Sequence, residues 1–169
     1  MAIRDIFWTK GWILSLLLVM LAGSAWSAAD SRSEEAAVAA QLDKFHKAAS
    51  RADFDGYFSL FSKGGVFIGT DAKERWTVDE FKKFVKPYFS KGKGWTYVPR
   101  DRTIVIHGDV AWFDELLDNE SYGECRGSGV LVKEDGQWKI AQYNLHFPVP
   151  NDVAKQITKI IKEHQADKE

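Results

Sequence analysis

Residues 129–140 read Gly129-Val-Leu-Val-Lys-Glu-Asp-Gly-Gln-Trp-Lys-Ile140. Two runs rich in strand-forming residues flank the short link Glu134-Asp-Gly-Gln137. An Asp-Gly link between such runs is typical of an antiparallel hairpin, because both residues tolerate the positive φ angle of a tight turn. This stretch therefore predicts the last hairpin of an antiparallel sheet.

The same strand pattern continues toward the N-terminus of this hairpin. It predicts strands over residues 95–106, 110–117, 122–133 and 138–147. The links between these runs are short and contain Gly, Asp or Asn, which favours hairpins over crossover connections. The C-terminal half of the chain is therefore expected to form one antiparallel sheet.

The segments upstream of the strands have helical periodicity. The Ala-rich segment 33–50 predicts a first helix, and Asp53 precedes a second, aromatic-faced helix that extends through Phe61. The pair Gly64-Gly65 is expected to stop this second helix. Residues 66–68, Val-Phe-Ile, then predict a short strand.

Two more helices are predicted from local signals. Thr77-Val-Asp-Glu80 is a capping box, which predicts the start of a third helix. Pro87 is expected to end or kink that helix, because proline lacks the N–H that the helix ladder needs. A last helix is predicted from about Asn151. Helices followed by a run of antiparallel strands indicate the α+β class.

The N-terminus has the three parts of a secretory signal peptide. A basic start is followed by the apolar run 11–22 and then by small residues, and cleavage is expected after Ser27, with Ala29 next. The alternative is an uncleaved membrane anchor, but the run is short for a span of ~20 residues. We therefore expect a leader over 1–27 and one periplasmic or secreted domain over 28–169, which leaves the membrane once the leader is cut.

Composition excludes several classes of protein. The 169 residues are 45% hydrophobic and carry a formal net charge of −1, which argues against a disordered chain and against a nucleic-acid partner. One Cys allows no intramolecular disulfide. The four His residues lack ligand spacing, so no metal is expected, and His46 is assigned a structural role. Gly127-Ser-Gly129 lies inside a predicted strand and lacks the strand-to-helix setting of a phosphate loop, and no cofactor is expected.

Three segments, residues 51–68, 108–113 and 129–140, resemble the nuclear transport factor 2-like superfamily, in its SnoaL-like and ketosteroid-isomerase-like branch. The resemblance covers roughly residues 34–148. It implies a cone-shaped fold, in which a curved antiparallel sheet wraps around N-terminal helices and leaves a conical pocket. It also implies a homodimer through the open sheet face, because many members pair in that way.

The resemblance also implies which strand residues face the pocket. In related sequences the Trp-x-Ile face of the last strand looks inward, which here would place Gln142 and Asn144 toward the cavity. By the same matching, Arg126 and Ser128 would share the inward face with Val130.

The central strand offers two candidate catalytic carboxylates, Asp114 and Glu115. They belong to alternating sets on opposite faces, so the sequence leaves open which one faces inward. Desolvation in an apolar pocket would raise the pKa of the inward carboxyl and suit it to proton transfer. An opposed Arg126 would instead keep it ionised. The alternative is an ion pair with Arg126 that only fixes the sheet.

The loop over residues 69–76 is a second cluster, expected beside the pocket mouth. Asp71 could position a polar ligand, Arg75 could bind an anion and Trp76 could stack on a ring. The alternative is a locally turned loop whose Trp76 packs on the core. The ligand-binding candidates are Asp71, Arg75, Trp76, Trp112, Arg126, Tyr143 and Asn144.

Three functions are compatible with these features. The first is an exported protein that binds a small apolar or aromatic molecule in an aromatic-lined pocket. The second is an isomerase or dehydratase, with Asp114 or Glu115 as general base and Asn144 or Tyr143 as hydrogen-bond donor. The third is an interaction module that dimerises or docks through its sheet.

Overall fold

The computed structural model describes residues 31–167. The predicted leader and its cleavage after Ser27 lie outside these residues. None of the helices within 31–167 combines the length and the apolar character needed to span a bilayer.

Four helices and six strands make up the described part of the chain. The helices are α1 (residues 31–50), α2 (Phe54–Phe58), α3 (Val78–Phe89) and α4 (Ala154–Ala166). The strands are β1 (Phe61–Ile68), β2 (Arg75–Thr77), β3 (Val98–His107), β4 (Val110–Asn119), β5 (Gly123–Glu134) and β6 (Gln137–His146). The four predicted long strands are confirmed, with ends shifted by up to three residues.

All six strands form one curved sheet in the order β2-β1-β6-β5-β4-β3. Neighbours pair antiparallel except β1 and β6, which are parallel. The predicted α+β class is confirmed. The short strand β2 and the parallel pair are additions to the predicted antiparallel sheet.

The first helix supplies much of the core. Val38, Leu42, Phe45 and Ala49 recur at helical spacing and are buried. Burying each large apolar side chain contributes roughly 1.5–3 kcal/mol to the stability of the fold. This face of α1 packs within the concave side of the sheet, which here is called the inner face; the opposite side is the outer face.

The predicted second helix is too long. Helix α2 ends at Phe58, and Phe61 already begins β1, where it pairs with Ile140. Gly64 and Gly65 lie within the strand rather than stopping a helix. A Cβ atom on Gly65 would lie 2.9 Å from the carbonyl oxygen of Ile140, so glycine permits the close approach of β1 to β6.

The start of α3 is confirmed, and the helix does not end at Pro87. Thr77 caps the helix, with its hydroxyl bound to the Glu80 N–H and the Glu80 carboxylate bound to the Thr77 N–H. The helix continues past Pro87 to Phe89, because the proline removes only one ladder bond in the last turn. The last helix starts at Ala154 rather than near Asn151, and none of its residues is buried.

Candidate functional site

A pocket with a volume of about 290 Å³ opens between the inner face of the sheet, helix α3 and the loops at its mouth. Its walls are mostly aromatic. The lining side chains are Phe67, Thr70, Glu74, Trp76, Phe81, Phe84, Trp95, Tyr97, Tyr122, Leu145 and Phe147, together with Gly69. The volume is close to the lower end of the range for small-molecule sites, ~300–1,000 Å³.

A much smaller cavity, of about 10 Å³, lies at the inner end of this pocket. The two spaces share four lining residues: Phe67, Trp95, Tyr97 and Leu145. The rest of the small cavity is lined by Phe45, His46, Ala49, Tyr57 and Tyr143. The pocket therefore has an aromatic mouth and a narrow end where three polar side chains meet.

The structure settles which carboxylate of β4 faces inward. Burial alternates along the strand, so that Phe113 and Glu115 are buried while Trp112 and Asp114 are exposed. Glu115 is 0% exposed. Asp114 lies on the outer face, away from the pocket.

Both oxygens of Glu115 are engaged. Oε1 is 2.6 Å from His46 Nε2, and Oε2 accepts a hydrogen bond of 2.7 Å from Arg102 Nε. The Tyr143 hydroxyl lies 3.4 Å from Oε1. Arg102 also donates from Nη1 to the Asp43 carboxylate, at 2.8 Å. The buried carboxylate is thereby paired with a cation and hydrogen-bonded, as burial of a charge requires.

The sequence pointed to Arg126 as the partner of this carboxylate, and that expectation is wrong. Arg126 is exposed on the outer face, beside His146. A register shift between Arg100 and Thr103 inserts one extra residue opposite β4, and Asp101 there has φ 48°. Such a bulge re-aims the following side chain. Arg102 thus turns inward to Glu115.

A second bulge, at Ala141 of β6, overturns the inward placement of Gln142 and Asn144. Leu131 pairs with Ile140, but Val130 pairs with Gln142, so Ala141 is unmatched and the alternation flips beyond it. Tyr143 then faces inward, next to the inner cavity. The residues that go to the outer face are Gln142, Asn144, Arg126, Ser128 and Val130.

The three candidates of the loop over residues 69–76 lie in different places, and only one of them lines the pocket. Trp76 lines the pocket, and its ring stacks against those of Phe81 and Phe84, at centroid distances of 5.4 and 4.8 Å. The Asp71 carboxylate accepts from the Lys73 N–H in a local turn and is not among the lining residues. Arg75 lies in β2, where it pairs with Ile68 of β1, and its side chain is exposed.

Of the predicted site residues, Trp76 lines the pocket, Tyr143 lines the inner cavity, and Glu115 contacts Tyr143 but lines neither space. The structure leaves outside the pocket Asp71, Arg75, Trp112, Asp114, Arg126 and Asn144. Sequence reasoning missed the involvement of His46 and Tyr57. The available signal was that each of them lies on a helix face that also carries buried aromatic residues, where a polar group needs a hydrogen-bond partner.

Burial sets the protonation of the inner tyrosines. Desolvation raises the pKa of Tyr57 and Tyr143 well above the usual range, and the Glu115 carboxylate adds to the effect on Tyr143. Desolvation likewise raises the pKa of Tyr97 to about 12. All three are neutral phenols at physiological pH. Burial opposes the charge of Arg102, but Glu115 and Asp43 outweigh it and raise its pKa.

Across residues 31–167, no three His, Cys, Asp or Glu side chains are grouped as metal ligands would be. Cys125 is a free, buried thiol whose sulfur lies 3.8 Å from the Gly123 carbonyl oxygen.

Solved structures with this architecture define its fold class. A nuclear transport factor 2-like protein of unknown function from Pseudomonas putida has a TM-score of 0.63 and 14% identity, over 73% of this chain and 92% of that one. A protein provisionally described as a dehydratase, from Streptomyces avermitilis, has a TM-score of 0.59 and 13% identity, over 71% and 99%. A ketosteroid isomerase-like protein from Erwinia carotovora atroseptica has a TM-score of 0.53 and 20% identity, over 68% and 96%. The fold is the nuclear transport factor 2-like cone.

Within that class, the model of the SnoaL-like domain family matches residues 38–150, and the chain belongs to this family. The resemblance inferred from the sequence is confirmed. Comparison with curated proteins gives no match.

Proposed function

We propose that this domain binds a small apolar or aromatic molecule in the pocket between the sheet and α3. The observation that carries the proposal is the aromatic lining of a pocket of about 290 Å³. The SnoaL-like fold supports a ligand-binding role or an isomerase- or dehydratase-type role.

The pocket mouth exposes ring surface that a ligand would cover. Phe84 is 43% exposed, Tyr122 64% and Phe147 42%. Tyr122 and Phe147 contact each other at a centroid distance of 5.2 Å, so they form one wall of the mouth, and Phe84 and Trp76 form a second pair of stacked rings in the lining. Removing this apolar surface from water favours binding of a flat apolar molecule.

A neutral fluorescent probe tests this proposal. We expect N-phenyl-1-naphthylamine to bind the wild-type domain with an increase in its fluorescence. Trp76→Ala removes part of the wall and should weaken binding about tenfold. Trp112→Ala is the matched control, because Trp112 is exposed on the outer face and should leave the affinity unchanged. Absence of wild-type binding, or equal loss in both variants, would contradict the proposal.

A second candidate function is proton transfer at a carbon next to a carbonyl group. The observation that favours it is that His46 lines the inner cavity with Nε2 held by Glu115. His46 would accept the C–H proton, whose electron pair forms an enolate, and would return a proton to carbon to complete an isomerisation. Glu115 would orient the imidazole and stabilise its charged form.

Deuterium exchange tests this second candidate. We expect the wild-type domain to accelerate exchange of the C1 protons of 2-tetralone in D₂O, followed by NMR. His46→Asn should return the rate to that of buffer, while Asp114→Asn, on the outer face, should keep it. A wild-type rate equal to that of buffer would remove this candidate.

We further propose that the protein is exported. Support comes from the tripartite pattern of residues 1–27. The mature chain would then begin after Ser27, or after Ala29, and act in the periplasm or outside the cell; the alternative is a chain anchored by its uncut leader. The mass of the chain recovered from its natural host separates the two.

A homodimer through the outer sheet face is also proposed. Support comes from three exposed apolar side chains there, Val105, Val110 and Trp112. Light scattering should give the mass of a dimer, and Trp112→Glu should give that of a monomer. A monomer at every concentration of the wild type would exclude this assembly.

A further inference from the structure

We propose that the inner end of the pocket is a binding subsite for one uncharged oxygen atom of the ligand, a hydroxyl or carbonyl, with the Tyr57 hydroxyl as its hydrogen-bond partner. The inference rests on the proposed binding function and names the class of ligand: a neutral aromatic or alicyclic alcohol, phenol or ketone.

The first support is the state of the Tyr57 hydroxyl. Tyr57 is 0% exposed, and its hydroxyl has no hydrogen-bond partner among the described residues. Buried hydroxyls are normally paired, because an unpaired one forfeits its bonds to water. The ring is held by Phe45, stacked at 4.5 Å, and by Trp95, edge-on at 6.0 Å, so it is not free to turn toward solvent.

The second support is the space in front of this tyrosine. Tyr57, His46 and Tyr143 line the inner cavity of about 10 Å³, which is about the space that one water molecule needs. Four residues line both this cavity and the larger pocket, so the two spaces adjoin. A ligand whose flat body fills the mouth would therefore present its leading atom to the polar end.

The third support is the charge around the cavity, which disfavours an anion. Glu115 is fully buried behind His46 and Tyr143, with Oε1 3.4 Å from the Tyr143 hydroxyl. Arg102, the cation that contacts Glu115, is also engaged by Asp43. Burial keeps the tyrosines protonated, so they can donate hydrogen bonds to an oxygen but offer no positive charge. A carboxylate would meet the buried charge of Glu115, and Arg102 is already shared between two carboxylates.

Three ligands of one shape test the subsite at pH 7: naphthalene, 2-naphthol and 2-naphthoate, each measured by displacement of N-phenyl-1-naphthylamine. We expect the wild type to bind 2-naphthol about tenfold more tightly than naphthalene, and 2-naphthoate most weakly. In Tyr57→Phe the advantage of 2-naphthol should fall to within about twofold, while naphthalene binds as before. Tyr88→Phe is the matched control, since Tyr88 is half exposed on α3 and lies outside the pocket lining.

The outcomes separate this inference from the proposed function. If naphthalene binds but 2-naphthol binds no better, the cavity holds only water; the subsite is overturned and the pocket remains. Tightest binding of 2-naphthoate would also overturn it, in favour of an anion site. If none of the three ligands nor the probe binds, both proposals fail. Each comparison is made within one variant, so a loss of folded protein affects all three ligands alike and leaves their ratio interpretable.

Discussion

The guanidinium of Arg102 contacts carboxylates on two sides, Glu115 in the interior and Asp43 toward the surface. It also donates to the Ala39 carbonyl oxygen at 3.1 Å, so one side chain of β3 ties α1 to the sheet. Glu115 depends on this contact, because its charge is completely buried and His46, which contacts its other oxygen, is charged only when protonated.

Replacing Arg102 by leucine should leave the Glu115 charge without its fixed cation. Breaking a buried ion pair in this way is expected to lower the free energy of unfolding by about 3 kcal/mol. Arg100→Leu is the matched control, since Arg100 lies on the same strand but pairs with exposed carboxylates, and its effect should be clearly smaller. Urea unfolding measures the free energy of unfolding of both variants. Equal losses would show that the Arg102 ion pair stabilises the fold no more than a surface ion pair does.

At the scale of single residues, the sequence limits the candidates for the inward carboxylate and its cation partner, but it does not choose among them. Alternation along β4 separates Asp114 from Glu115, yet nothing local states which face is inner. The choice of Arg102 over Arg126 depends on an αL residue at Asp101, a conformation that aspartate tolerates but does not signal. The role of Tyr57 emerges only from the rings around it, which come from distant parts of the chain.

At the scale of elements, β5 and β6 approach each other closely where their register shifts. The bulge at Ala141 lies opposite the step between Val130 and Leu131. Next to it, a Cβ atom on Gly129 would lie 2.1 Å from the backbone oxygen of Gln142. The glycine is therefore required by a backbone contact, which cannot rotate away as a side chain can.

Gly129→Ala should push the two strands apart beside the bulge. We expect a loss of about 2 kcal/mol in the free energy of unfolding, in the range for overpacked sites. Ser128→Ala, one residue earlier on the outer face, should change it by less than about 0.5 kcal/mol. Thermal and urea unfolding of the pair would decide, and a tolerated Gly129→Ala would mean that the strands separate at little cost.

The sequence correctly predicts the elements whose formation depends only on neighbouring residues. The Asp-Gly hairpin and the Thr77–Glu80 capping box depend on residues within a few positions of one another. The end of α2 and the strand β2 depend on distant partners instead. Phe61 leaves the helical pattern because it pairs with Ile140, and β2 is a strand because residues 75–77 add to the edge of β1.

For the whole molecule, tyrosine burial couples folding to alkaline pH. Tyr57, Tyr97 and Tyr143 have raised pKa values in the folded state, that of Tyr97 about 12, against about 10 in an unfolded chain. Above pH 10 the unfolded chain releases protons that the folded chain keeps. The stability that these groups contribute is therefore complete below pH 10 and falls as the pH rises further.

We accordingly expect the urea midpoint to fall steeply above about pH 10, and the part of the phenolate absorbance at 295 nm that comes from these three tyrosines to appear together with unfolding rather than before it. Tyr143→Phe removes one of the three groups and should make this decline shallower. Phenolate absorbance that develops fully in the still-folded domain would contradict the assignment.

The exposed aromatic wall formed by Tyr122 and Phe147 has an evolutionary consequence. Substitutions at exposed positions usually change stability by less than about 0.5 kcal/mol, whereas changes to Glu115 or Arg102 affect the whole fold. Descendants of this gene can therefore vary the mouth, and with it the range of molecules admitted, while the interior charges stay constant. Laboratory selection for a new ligand has the same freedom, and the mouth is the place to begin a library.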